Sequence, residues 1–489
     1  LPTESPSAIT GRVLSNGQAI DQARVRFQTS TDFVLTDTDG RFRLPLDQLI
    51  GAKSGAWVTA AKPGYIIAGK PAADGMVIEL KPLPENDDEH YAWIDPTPDE
   101  NKSLNCGNCH PAIYDQWQFG GHARSATNRH FLNLYDGGTW DGAKRHGWSL
   151  LDEYPEGAGV CAACHAPSAP LDTLGVSDIR KLTGVDQKGV HCDFCHKVQD
   201  MNLAAIGLTH GRFAMNLLRP AEGQVFFGPL DDVDRGEDSF LPLLSESHFC
   251  AACHEGTVFG VPVYTTYSEW LSSRARAEGK ECQSCHMRPN GRMTNFAPAA
   301  GGLQRDPATL ASHTLLPGGA DGMLRRSLDV TPSCQIDEHQ QTIRLSVRLS
   351  AHDVGHHVPT GFIDRHMLLV VELSDIDGRP LEPLAGPRLP EWVGEEGNRP
   401  GALFAKRLVD AEGRSPVPFW RAGTSIVDTR LDPAAPRTIE FALSPSTAEV
   451  RIRLLHRRFW QSTAQDKGWP DPTLEIVDQS WSIEKLLGR

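Results

Sequence analysis

Five times this chain repeats one pentapeptide, Cys-x-x-Cys-His, and the copies are Cys106-Gly-Asn-Cys109-His110, Cys161-Ala-Ala-Cys164-His165, Cys192-Asp-Phe-Cys195-His196, Cys250-Ala-Ala-Cys253-His254 and Cys282-Gln-Ser-Cys285-His286. They take up ten of the eleven cysteines. Two thiols three positions apart can each add to one vinyl group of a porphyrin, and the histidine directly after the second thiol then lies under the ring, where its imidazole binds iron. Structural zinc, disulfides or a redox dithiol would explain a single copy. Zinc ribbons pair two Cys-x-x-Cys elements about 15–20 residues apart, whereas successive first cysteines here are 55, 31, 58 and 32 residues apart. None of these alternatives calls for an invariable trailing histidine. Five covalently attached c-type haems, each with iron, are therefore expected. The leftover Cys334 reads as a small buried apolar residue.

Such haems are attached outside the cytoplasm, so the chain is expected to be exported, to the periplasm or the cell exterior. Its start at Leu1, without a charged-then-apolar leader, reads as a processed form. Forty-eight basic against 62 acidic residues give a formal charge of −14, which makes nucleic acid a poor partner. The best apolar run, Met367 to Leu373, is far short of a membrane span and contains Glu372.

The motifs divide the chain. Residues 1–83 carry none and show short strand-like runs at Ile9–Leu14, Ala23–Gln28, Arg41–Leu44, Ala56–Ala61 and Met76–Leu80, punctuated by Asn16-Gly17, Asp39-Gly40 and Pro63-Gly64. A β-sandwich is expected there, with Thr36 to Phe42 as a hairpin turn rather than a calcium loop. Residues 84–101 are acidic and proline-rich and read as a linker. Residues 102–334 hold all five motifs at about 46 residues each, too few for an ordinary aliphatic core, so a mainly helical and irregular domain organised around haems is expected.

Within it, motifs two and three and motifs four and five echo each other in spacing, which suggests two haem pairs. Thr266-Tyr-Ser-Glu269 reads as a capping box opening a helix that ends at Gly279. Residues 335–489 change to period two, with Ile343, Leu345, Val347 and Leu349 alternating with polar residues, and are expected to form a second β-sandwich.

Nineteen histidines less the five in the motifs leave 14, enough to supply a second axial ligand to every iron. His122 follows Trp117 shortly after motif one. His191 directly precedes Cys192, so its backbone sits at a haem edge. His210 in Thr-His-Gly-Arg and His313 in Ala-Ser-His-Thr are further candidates. His356 lies in Gly355-His-His-Val-Pro-Thr-Gly361, where a glycine permits close approach and a proline-glycine turn locks the loop; His357 should point elsewhere. His130, His146 and His248 are reserves.

Trp117 through His122, Tyr267-Ser-Glu-Trp270 before Cys282-Gln-Ser-Cys-His-Met287, and Gly-His-x-x-Pro-Thr-Gly together resemble multihaem c-type cytochromes of the nitrifier tetrahaem kind and related extracellular cytochromes that assemble into filaments. The resemblance covers about residues 102 to 375. It implies a closely packed bis-histidine haem chain with His122 and His356 as distal ligands, while the fifth haem and the N-terminal region depart from the tetrahaem pattern. The run Thr36 to Phe42 resembles the turn of carboxypeptidase regulatory-like, transthyretin-like domains.

These readings favour an exported pentahaem cytochrome that relays electrons to or from a redox partner protein or an extracellular acceptor. Each ferric haem adds about +1 at iron and −2 at its propionates, so the charge would deepen towards about −19 and favour a basic partner. Two other functions fit the same motifs: a redox enzyme acting on a small nitrogen or sulfur species at one open-coordinate haem, and a subunit of a conductive filament. No catalytic residue is identified.

Overall fold

Alternation of charge and apolar residues builds the N-terminal region. In the strand Arg41–Pro45 the two arginines face solvent while Phe42 and Leu44 are buried. The computed structural model describes residues 8–48, 56–142, 145–156, 160–170, 178–316, 319–421, 423–470 and 472–488. Strand Ala8–Ser15 pairs antiparallel with Arg41–Pro45 and parallel with Met76–Glu79. A second sheet sets Arg24–Phe27 between Val34–Leu35 and Trp57–Ala61, with Ala68–Pro71 beyond. Val13, Leu44 and Ile78 of the first sheet share a core with Val25, Phe27 and Val58 of the second. Each such buried side chain contributes about 1.5–3 kcal/mol. At the Asp37–Gly40 turn, Asp37 accepts the backbone N–H groups of Asp39 and Arg41, so its carboxylate is committed to the hairpin.

The acidic stretch after this region is seated on the centre of the molecule rather than hanging free as a linker. Asp87 pairs with Arg219. The Tyr91 hydroxyl and the Ile94 N–H both donate to Asp193, and the Trp93 indole donates to the Ser168 carbonyl. A small sheet also crosses the boundary: Tyr65–Ile66 lies between Lys81–Pro82 and Asp238–Phe240, which in turn pairs with Phe226–Gly228.

Every described helix of the central region is short. The motifs lie on Cys106–Cys109, Val160–His165, Cys192–Cys195, His248–His254 and Cys282–His286. Pro111–Gln118, Arg129–Asp136 and Gly319–Ser327 are the longer pieces. None reaches the ~12–15 residues an isolated helix needs in water. The helix expected from Thr266 to Gly279 is two, Thr266–Leu271 and Arg274–Ala277. Ser272 and Ser273 break it by bonding preceding carbonyls, and Ser273 caps the second piece. Glu269 is drawn to the Thr265 hydroxyl and to Arg430. Of the echo between motifs two and three, residues 171–177 lie outside the described residues.

The C-terminal region is antiparallel. Leu328–Asp337, Thr342–Ala351 and Arg437–Leu443 form one sheet. The other runs in the order Ser425–Asp428, Gly401–Val409, His366–Ser374, Glu449–Arg457, Leu474–Ser482. Leu345, Val347 and Phe441 of the first meet Met367, Leu369, Val371 and Ile452 of the second, and Cys334 lies in this core. Strand His366–Ser374 is apolar on both faces because Leu368 and Val370 are covered by Leu389 and Val393.

Candidate haem sites

Each motif occupies about one helical turn, which brings the two thiols to one side and leaves the following histidine at the helix end. In four of the five motifs the histidine Nδ1 meets a backbone carbonyl: His110 meets Phe296 at 2.9 Å, His165 meets Ser125 at 2.9 Å, His196 meets Phe227 at 2.6 Å and His286 meets Leu315 at 2.9 Å. A carbonyl only accepts, so Nδ1 carries the hydrogen and Nε2 presents its lone pair. That is the tautomer and orientation a metal-bound histidine takes. Burial lowers the pKa of His110, His165 and His196, and it pushes His254 to about 4. These rings are therefore neutral, as ligation requires.

Two of the five candidate distal histidines stand opposite a motif histidine. The centres of His122 and His254 are 6.2 Å apart, and those of His286 and His356 are 6.4 Å apart. An imidazole centre lies about 1.2 Å from its ring nitrogen and a metal–imidazole bond is about 2.0 Å, so two imidazoles on opposite sides of one metal stand about 6.4 Å apart. Both pairs match that span. The His356 Nδ1 meets the His357 carbonyl at 3.0 Å, which again frees Nε2. A Cβ on Gly355 would lie 3.1 Å from the Trp270 ring, so this glycine is where the loop presses on the central region. His357 turns away, towards Asp428, which raises its pKa.

His122 is held through its backbone: Val190 N–H donates to its carbonyl, and Gly189, with φ +67°, passes so close that a Cβ there would lie 2.3 Å from that oxygen. Gly189→Ala should cost about 1–3 kcal/mol for the backbone alone, since φ +67° with ψ −134° is a conformation glycine adopts and other residues avoid, before the clash is counted. Thermal unfolding measures it, and an unchanged midpoint would refute the account.

The other three candidates are placed differently. His313 is half-buried and lies within electrostatic reach of His110 and His196. Gln116, on the helix after motif one, accepts its backbone N–H at 2.7 Å and so fixes its position. His210 precedes Gly211, whose close contact is with the backbone of Ala163 and Cys164, and its ring faces Gly256. It has no opposing histidine among the described ring contacts. His191 is fully buried, and its Nδ1 accepts the Phe194 N–H at 3.3 Å as the cap of the motif-three helix. In that tautomer Nε2 carries the hydrogen and has no acceptor. For Nε2 to bind a metal, the cap must give way. Trp93, from the stretch expected to be a linker, packs edge-on against this ring at 5.5 Å.

The motifs touch one another in an order that spacing does not reveal. The Cys106 thiol of motif one lies against Cys192 of motif three, Cys164 of motif two against Cys253 of motif four, and Cys250 of motif four against Cys282 of motif five. Cys195 of motif three is within electrostatic reach of Cys253. Motifs four and five adjoin as their echo suggests, whereas motifs two and three each meet a different neighbour. Motif four is thus a junction. Beside motifs one and three, Asp193 and Lys197 form a wholly buried ion pair at 2.9 Å. The Lys197 ammonium also donates to the Val225 carbonyl and lies 3.9 Å from the Phe226 ring centre. Gln116, Asp193 and Lys197 were not singled out from the sequence. A charged residue inside a motif that should lie against a porphyrin was the available signal.

Among the described residues no three His, Cys, Asp or Glu side chains gather as a metal cage. Four motif histidines whose Nδ1 meets a backbone carbonyl, and the two metal-width gaps, fit haem.

The chain shares its fold with a cytochrome of known structure. That protein is the penta-heme cytochrome c552 from Thermochromatium tepidum, which aligns over 77% of this chain and 97% of its own with a TM-score of 0.57 and 24% identity. No family model and no curated protein matches the chain.

Proposed function

We propose that this chain is an exported pentahaem c-type cytochrome that relays single electrons along closely packed haems. One observation carries the proposal: motif histidines held in the metal-binding tautomer, two of the five motifs having a second imidazole one metal's width away. Each motif's cysteines would hold a porphyrin through two thioethers and its histidine would bind iron; His122 would close the motif-four iron and His356 the motif-five iron. The haem supplies the one-electron chemistry, and the protein sets spacing, ligand orientation and local charge. The contacts among motifs support a branched relay, in which motif three would lead from motif one to motif four, and motifs two and five would join motif four. The likeness in fold to a penta-heme cytochrome supports the count of five.

A charge of −14 before haem propionates are added favours a basic redox protein or a positively charged extracellular surface as partner. An enzyme reading requires an iron with one open side, and the two opposed pairs close motifs four and five to it. Among the described residues no helix is long and apolar enough to cross a membrane.

The test is a haem count by pyridine haemochrome and intact mass, joined to ferric EPR. Five haems per chain, with low-spin signals from motifs four and five, are expected. A count below five would sink the proposal.

A further inference from the structure

We propose that Glu269 and Arg430 are positioning residues for His356, a buried ionic clamp that keeps the sixth ligand on the motif-five haem. This inference rests on the haem reading above. The motif-five histidine His286 belongs to the central region, while His356, which would complete the iron's ligation, arrives on a loop of the C-terminal sheets. Its coordination therefore depends on how firmly the two regions are joined at this loop.

The join is built around one carboxylate. Glu269, on the helix Thr266–Leu271, accepts the His357 backbone N–H through Oε2 at 3.0 Å. Its Oε1 accepts the Thr265 hydroxyl at 2.6 Å and the Arg430 guanidinium at 2.6 Å. Arg430 reaches Asp428 at 2.7 Å and the Pro359 carbonyl at 3.4 Å, so it grips the loop from the other side. The Thr266 and Thr360 hydroxyls bond at 2.8 Å, and Val358 exchanges two backbone hydrogen bonds with Leu431. The Arg430 side chain is 5% exposed and that of Glu269 10%, so solvent and salt screen the pair little.

Glu269 fixes the His357 backbone and Asp428 draws the His357 ring aside, while the preceding ring, His356, stands 6.4 Å from His286. Gly355 lets the loop settle against Trp270. Removing Arg430 leaves Glu269 a buried carboxylate without its cation, and removing Glu269 takes the acceptor from the His357 N–H and leaves Arg430 paired with Asp428 alone. The loop then relaxes where it is most tightly specified, and the His356 imidazole leaves the iron.

The experiment uses the full, haem-loaded chain and reads ferric EPR and the optical response to carbon monoxide. His356→Ala sets the reference, one haem of five becoming high-spin and binding carbon monoxide. Glu269→Ala and Arg430→Met should reproduce most of that signal with five haems retained, and Glu269→Gln, which keeps an acceptor oxygen, should fall between these and the parent. Arg453→Met breaks a comparably buried pair with Glu396 in the same sheet, away from the loop. It should lower thermal stability and leave every iron as in the parent. The clamp is overturned if Glu269→Ala and Arg430→Met hold five haems with parental spin state, or if Arg453→Met gives the same high-spin signal. Should Glu269→Ala not fold, Glu269→Gln and Arg430→Lys decide by the same readings. A parent chain with fewer than five haems would refute the haem proposal itself, which the pyridine haemochrome count of that sample shows separately.

Discussion

Chain produced without haem attachment is expected to keep its two β regions and lose its middle. The C-terminal core runs unbroken from Leu328 to Ile483 and needs no cofactor, and the N-terminal core likewise closes on itself. Among the described residues the clusters of the central region are small, such as the one around Phe194 and Met215, with Cys195 and Cys253 among its neighbours, and the one in which Leu134 packs with Trp420 of the C-terminal region, with Cys161 beside it. The central helices are too short to persist alone. Hydrogen exchange should therefore show amides of Leu345, Val371 and Ile452 protected as in the loaded protein. Those of the helices at Cys106, Val160 and His248 should lose the whole protection of a folded domain, on the order of 5–15 kcal/mol. Central helices that stay protected in the haem-free chain would show that the porphyrins are not their core.

Replacing Cys250 and Cys253 by serine should do more harm to the proposed relay than removing any other motif. Motif four touches motif two through Cys164 and motif five through Cys282, and lies near Cys195 of motif three. Without it, motifs one and three are cut off from motif five, and motif two is isolated. After pulsed reduction, exchange among the four remaining haems should split into separate populations and slow by orders of magnitude. The matching change at Cys106 and Cys109 removes only an end, and exchange between motifs four and five should continue at the parental rate. Equal effects of the two changes would rule out motif four as the junction.

The sequence showed chemistry more clearly than arrangement. Five pentapeptides are legible because thioether attachment fixes residue type and spacing locally, and the strands around Phe42 or Val347 are legible because alternation is a local pattern. Gly355-His356 read as a projecting loop for the same reason: a glycine beside a histidine is a local device. That its ring meets His286 depends on the C-terminal sheets folding back across the molecule, which no window of residues records. The neighbour order of the motifs was hidden likewise, because Cys106 meets Cys192 only after the chain has wound past motif two. The stretch around Trp93 reads from its prolines and acids as a linker, and what the sequence does not show is that its aromatic residues and Asp87 fasten it over motif three. His191 shows a competition that sequence cannot resolve, since the position that brings it to a haem edge also makes it the cap of the next helix.

The small sheet that crosses from the N-terminal region into the centre implies an order of assembly. Strand Tyr65–Ile66 finds its partner near Ser239, 174 residues later in the chain. Until that partner arrives, the first-made region carries a bare edge open to wrong pairing. The next strand of the same sheet contains Phe227, whose carbonyl orients His196 and whose N–H bonds the His196 carbonyl. The strand edge of the N-terminal region and the motif-three histidine are therefore held by one sheet, so a change that loosens either should be felt by the other.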